Sequence, residues 1–282
     1  MIESPEKQNR VVVWNPGDYA ANSASQQSWA RELIAKLRLH GNEHVLDVGC
    51  GDGKITAELA RTLPNGAAMG IDASPQMIDF AQKAFPQSQF PNLHFQVMDA
   101  RAIHPDASSS ALDVQRSMFD VVFSNAALHW VNDHQAFLRG ASACLRRGGR
   151  LVVSCGGKGN AQDVFLVLRS QMRLKRWKEF FRDLERPYFF HNPEDYQKWL
   201  PRSGFESRSV RLAEKDMAFE DPGKFAGWFR TTWLPYTQRV PESLREEFIA
   251  AVVDRYIAKH PLDAAGQVHV RMVRLEIDAV KV

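Results

Sequence analysis

The chain has 282 residues, 44% hydrophobic and 24% charged, with a formal net charge of +3. That composition suits one large globular domain, or one domain with a cap, and the small charge argues against a nucleic-acid binder. Its three cysteines, Cys50, Cys144 and Cys155, form no C-x-x-C pair, which argues against a metal or disulfide framework and fits a reducing cytosol. No apolar run approaches the roughly 18 residues of a membrane span, and the polar opening MIESPEKQNR has no secretory pattern. The expectation is a cytoplasmic protein without metal, membrane or nucleic-acid partner.

Residues 1–12 read as a loose arm, and Pro16-Gly17 marks a turn. Residues 25–39 have helical spacing, with Trp29, Leu33, Ile34 and Leu37 on one face. Val45, Leu46 and Val48 then read as a strand buried in a parallel sheet. It runs into Gly49-Cys50-Gly51-Asp52-Gly53 and a helix over 55–63. Glycines there let the backbone approach a ligand, and the helix start offers unpaired N–H groups.

A dinucleotide loop would read G-x-G-x-x-G, but Lys54 takes the place of its third glycine, and Asp47 precedes the turn. A carboxylate is a poor neighbour for pyrophosphate and a good one for ammonium. The amino-acid end of S-adenosylmethionine (SAM) carries both a carboxylate and an ammonium. The loop amides suit the first and Asp47 the second. A second strand, 67–71, delivers Asp72 about 20 positions beyond the glycines, where an acid meets ribose hydroxyls; an NAD site would use the same acid.

Ser74-Pro75 starts a helix with Met77, Ile78 and Ala81 facing inward. A third strand, 93–97, delivers Met98 and Asp99, placed for an adenine ring and its exocyclic amine. Residues 103–117 are Ser-rich and aperiodic, a surface loop. A fourth strand, 119–123, ends at Ser124-Asn125-Ala126-Ala127-Leu128-His129-Trp130, and a helix over 132–145, capped by Asn132 or Asp133, leads through Gly148-Gly149 to a fifth strand, 150–154. Gly156-Gly157-Lys158-Gly159 lacks phosphate-loop spacing and reads as a flexible exit.

VLDVGCGDG, GIDASPQMI, MDA, FDVVFSNAALHW and LRRGGRLVVS, in that order, resemble the motifs of class I SAM-dependent methyltransferases. The segment Trp14 to Tyr19, with Gln26, Gln27, Trp29 and LHW at 128–130, is similar to the trans-aconitate and juvenile-hormone-acid methyltransferases, which esterify small carboxylic acids. The resemblance implies an α/β fold with a Rossmann-like seven-stranded sheet, its last strand antiparallel, and helical cap insertions. It divides the chain into an arm and lid helix (1–40), a SAM-binding core (41–155) and a cap with the last two strands (156–282). Asp47, Gly49, Cys50, Gly51, Gly53, Asp72, Ala73, Met77, Asp99, Ala100 and Asn125 would hold the cofactor. The lid helix would bring Tyr19 and Gln26 or Gln27 to the substrate.

In the second half, helices are expected over 163–184, 193–200 and 221–261, with strands over 206–215 and 268–280. Insertions over about 156–200 and 218–262 would sit over the strand C-termini, where open α/β sheets place ligands. Phe180, Phe181, Tyr188, Phe189 and Phe190 are too aromatic to face solvent together, so some line a core or pocket. Arg230, Trp233 and Tyr236 combine cation and aromatics, suited either to a small anion or to plain packing. Arg169, Arg271 and Arg274 are further cations of unread direction.

A carboxylate acceptor is already ionised at neutral pH, so methyl transfer to it requires alignment and exclusion of water, with no obligate base. Trp130 would wall the transfer site. His129 would be the base if the acceptor were a hydroxyl or amine, and otherwise orients a loop. The reading is a SAM-dependent methyltransferase, releasing S-adenosylhomocysteine, acting on a small, anionic molecule as a monomer or weak dimer. The alternatives are N-, C- or hydroxyl O-methylation of a small metabolite, an RNA or protein methyltransferase, and a binding protein that keeps the fold without catalysis.

Overall fold

A computed structural model describes residues 13–21, 24–104 and 119–282, with the side chains of 19–21 and 24–26 outside the description. Tyr19 and Gln26, as side chains, and nearly all of the Ser-rich loop therefore lie outside the described residues.

The described residues form a seven-stranded sheet of β1 (His44–Val48), β2 (Ala67–Asp72), β3 (Leu93–Val97), β4 (Phe119–Asn125), β5 (Leu145–Gly156), β6 (Phe205–Phe219) and β7 (Val268–Lys281). The order is β3-β2-β1-β4-β5-β7-β6. The first five strands pair in parallel, while β7 runs antiparallel to both β5 and β6. Strand order reverses between β1 and β4, and their C-terminal ends open there into the crevice where such sheets place ligands.

Helices cover both faces, which explains the continuous apolar runs of the central strands. Leu33 and Leu37 of α2 (Ala24–Leu37) and Leu59 of α3 (Lys54–Arg61) pack with Val45, Val121, Phe123 and Val152. On the other face, Phe137, Leu138 and Ala141 of α5 (His134–Cys144) and Tyr196 and Leu200 of α7 (Pro193–Arg202) cover Leu46, Val48, Val122, Leu151 and Val153. Burying each large side chain there is worth about 1.5–3 kcal/mol. The start signals hold: Ser74 Oγ accepts from Met77 N at the head of α4 (Pro75–Ala84), and Asp133 caps α5.

The second half departs from the periodicity. The helix expected over 163–184 stops early, as α6 (Gln162–Met172). The chain then tightens into three-residue turns that bury Trp177 against Phe248, ring centroids 5.2 Å apart. The single helix expected over 221–261 is three: α8 (Pro222–Thr232), α9 (Leu234–Thr237) and α10 (Glu242–Lys259). Pro235 has no N–H to continue α8, and Pro241 stops α9 in the same way. A separate apolar cluster joins Val164 and Leu168 of α6, Phe225 and Trp228 of α8, Phe248 and Val252 of α10, and Val270 of β7.

Candidate functional site

At the end of β1 the chain turns left-handed at Gly49 (φ +77°) and Gly51 (φ +53°). A Cβ on Gly49 would lie 2.1 Å from the Ala127 Cβ, so only glycine lets the turn after β4 rest on the turn after β1. A Cβ on Gly51 would meet nothing within 4 Å; it would project into open space. The amides of Gly49 and Cys50 donate to Ile71 O, and Gly51 N donates to Asp72 Oδ2 at 3.0 Å. Asp72 Oδ1 accepts from Ser74 N at 2.9 Å. The acid is thereby fixed across the turn, with its carboxyl raised by burial.

Asp47 is buried below the turn and accepts from Thr56 Oγ1 at 2.7 Å. Burial pushes its carboxyl up to about 7, with nearby Asp72 adding to the rise and the Thr56 hydroxyl opposing it. Burial likewise drives the Cys50 thiol up, which keeps it unreactive. Met77 is buried in α4, and Ala73 is exposed at the end of β2. Asp99 caps a short turn, Ala100–Ala102, and grips Arg101 with both oxygens, Arg101 Nη2 donating to Oδ2 at 2.6 Å. That pairing holds the Asp99 carboxyl below its ordinary range.

Beyond β4, Ala126 is left-handed (φ +57°) and its N–H donates to Ser154 O. A non-glycine residue in that region is strained, a feature that gathers at functional sites. The bend sets Asn125 at the strand end and throws out the turn Leu128–Trp130. His134 anchors that turn: its Nε2 lies 2.8 Å from Leu128 O and its Nδ1 2.5 Å from Tyr196 Oη. His129 Nδ1 accepts from Gly156 N at 3.3 Å. Burial, then the charges of Arg274 and His134, push the His129 ring down to about 3, so it is neutral.

Arg274 is 3% exposed. Its Nε donates to Ser154 Oγ, its Nη2 to Ser154 O and Asn125 Oδ1, and its guanidinium lies 5.3 Å from the Trp29 ring centre. Trp130 meets Tyr188 edge-on at 4.8 Å and Trp14 at 5.3 Å. Phe189 N donates to His129 O, which draws residues 188–190 along the turn. Tyr188 stacks on Phe190, and its hydroxyl donates at 2.7 Å to Thr232 O, a carbonyl released where α8 breaks. Trp233 and Tyr236 are buried 5.9 Å and 6.2 Å from Tyr188. Burial raises Tyr236 to about 12 against the nearby charges of Arg169 and Arg186.

The structure thus gathers Asp47, the glycines, Asp72 and Asn125 at one junction, with His129 and Trp130 over it and Trp233 and Tyr236 behind Tyr188. Gln27 is half-buried on α2. Arg230 is turned elsewhere: its guanidinium forks onto Asp18, Nε to Oδ2 at 2.9 Å and Nη2 to Oδ1 at 2.8 Å. Arg271 pairs with Glu214 at the surface. Thr56 and the site-facing role of Arg274 are legible only in three dimensions. Among the described residues no His, Cys, Asp and Glu cluster could hold a metal, and no helix is long and apolar enough to cross a membrane.

Residues 39–186, just over half of the chain, match the family described as Methyltransferase domain. An uncharacterized methyltransferase of Schizosaccharomyces pombe is 32% identical over 202 residues, 70% of this chain and 72% of that protein. A trans-aconitate 2-methyltransferase of Shigella dysenteriae is 29% identical over 269 residues, 94% and 97% of the two chains. The crystal structure of the YcgJ protein of Bacillus subtilis superposes with a TM-score of 0.60 at 15% identity, covering 90% of this chain and 98% of that one. A sheet in this order, a carboxylate below a glycine turn and these likenesses converge: the chain belongs to the methyltransferase-domain family, as a class I SAM-dependent methyltransferase related to the trans-aconitate group.

Proposed function

We propose that the enzyme methylates a carboxylic acid on oxygen, forming a methyl ester. The observation that carries this reading is the contact of Ala127 on Gly49, which sets the His129–Trp130 turn directly over the glycine turn. The near-full-length likeness to a trans-aconitate 2-methyltransferase supports it.

The residues fit SAM. The open space beside Gly51 would admit its methionine end, buried Asp47 would take its ammonium, and Asp72, held by the amides of Gly51 and Ser74, would take its ribose hydroxyls. Asp99, at the end of β3, would meet the adenine, with Met98 and Ala100 beside it. When bound, SAM supplies an electrophilic methyl on a sulfonium. Trp14, Trp130, Tyr188 and Phe190 exclude water from the acceptor's approach, and an ionised carboxylate needs no proton removed.

The test is a labelled-methyl assay against di- and tricarboxylates, trans-aconitate among them, together with fatty acids, phenols and amines. The expected product is an acid whose label is released by mild base. A base-stable product would overturn the carboxylate reading and leave a hydroxyl or amine methyltransferase.

A further inference from the structure

His129 has a fixed proton. The Gly156 N–H can only donate, so the His129 Nδ1, 3.3 Å away, presents its lone pair. A neutral imidazole that accepts at Nδ1 carries its hydrogen on Nε2. The surroundings keep the ring neutral: burial first, then the charges of Arg274 and His134, disfavour a second proton, and the rings of Trp130, Tyr188 and Phe190 lie 5.8, 6.0 and 6.2 Å away. The other nitrogen makes no hydrogen bond among the described residues. Nor is it one of the sealed, unpartnered atoms, so it meets accessible space on a half-buried ring. A base must offer a lone pair there; this ring offers an N–H.

We infer that His129 Nε2–H donates a hydrogen bond to the acceptor's carboxylate, beside the buried guanidinium of Arg274, so that His129 recognises an acid that arrives ionised and is not a base. The inference rests on the carboxylate reading above. One carboxylate oxygen takes the N–H and the other attacks. Its electron pair forms the O–CH3 bond as the S–CH3 bond breaks, and that bond's electrons stay on sulfur. The negative charge of the acid and the positive charge of the sulfonium vanish together, and no proton moves. Because the anion loses charge on the way, the donor acts chiefly on binding and aim. Its loss should raise KM more than it lowers kcat.

Two variants separate this from a merely structural role. The Asn oxygen of His129→Asn overlays Nδ1 and keeps the Gly156 bond, but nothing reaches the Nε2 position. The Gln amide of His129→Gln reaches the Nε2 position and can donate, but gives up the Gly156 bond. The acceptor KM should rise about 10–100-fold in His129→Asn, the range of one hydrogen bond to a charged group, and stay within about threefold of wild type in His129→Gln. The tautomer is read separately from 15N-histidine spectra of the full chain without ligand, with His129→Gln assigning the signal. A protonated Nε2 and bare Nδ1 at pH 7 are expected. A base-stable product sinks the carboxylate reading and this assignment with it. An ester product with hydrogen on Nδ1, or with His129→Asn binding the acid better than His129→Gln, sinks this assignment alone.

Discussion

Asp47 ionises against its surroundings. Its described hydrogen bond comes from Thr56, and burial pushes it from 3.8 up to about 7. Below 3.8 both states hold the proton; between the two values only the folded state does, so stability falls steadily as pH rises across that interval. Above about 7 the folded state holds a buried anion, and the loss levels off. From pH 5 to pH 8 the ligand-free wild type should therefore lose about 3 kcal/mol relative to Asp47→Asn, which retains an oxygen for the Thr56 hydroxyl. Urea titrations of both proteins across that range check it; parallel curves would contradict the assignment. A ligand ammonium beside Asp47 favours the anion, so SAM should bind more tightly as pH rises from 5 to about 7, below the range in which its own amino group loses its proton. By the same argument Asp47→Asn should weaken SAM about tenfold or more. Calorimetry measures both.

Elements differ in how openly the sequence announces them. β1 to β4 were legible because each is a short apolar run closed by Gly, Asp or Asn, and the heads of α4 and α5 because Ser74-Pro75 and Asp133 supply caps locally. The cap was less legible because its breaks are tertiary: burial of Trp177 ends the helical run after Met172. Arg271 and Arg274 lie on opposite faces of β7, and only the register Gly156↔Arg274 shows which arginine meets the site. At α5, His134 ties the His129 turn to α7 through Leu128 O and Tyr196. Burial first, then neighbouring His191, pushes its pKa down to about 4. The unfolded chain takes up the proton first, so stability falls as pH drops below about 6.5 and levels off below about 4, by up to about 3 kcal/mol. His134→Gln, uncharged throughout, should be less stable than wild type at pH 7.5 yet lose less between pH 6.5 and 4. Equal acid slopes in urea titrations would remove His134 as the cause.

Across the molecule, residues 13–18 strap the cap to the site. Gln238 clasps the Val13 backbone, accepting from its N–H at 3.1 Å and donating to its carbonyl at 2.5 Å. Asp18 holds Arg230 of α8, and Trp14 lies on Trp130. α1 (Pro16–Ala21) lies against both α8 and α4, so it spans from the cap to the nucleoside side of the crevice. This geometry points to Arg230 as a tie, where the sequence offered either an anion seat or plain packing. The pair is partly exposed, so removing it should cost no more than about 1 kcal/mol of stability, while loosening the strap should raise the acceptor KM. If the tie is its function, Asp18→Asn, Arg230→Gln and the double variant should raise that KM by the same factor, because each opens the same contact. If Arg230 binds the acid, Arg230→Gln should be far worse than Asp18→Asn, which would leave the guanidinium available to substrate and tighten binding. Steady-state kinetics on the three proteins separates the two, since only a tie gives a double variant no worse than either single one.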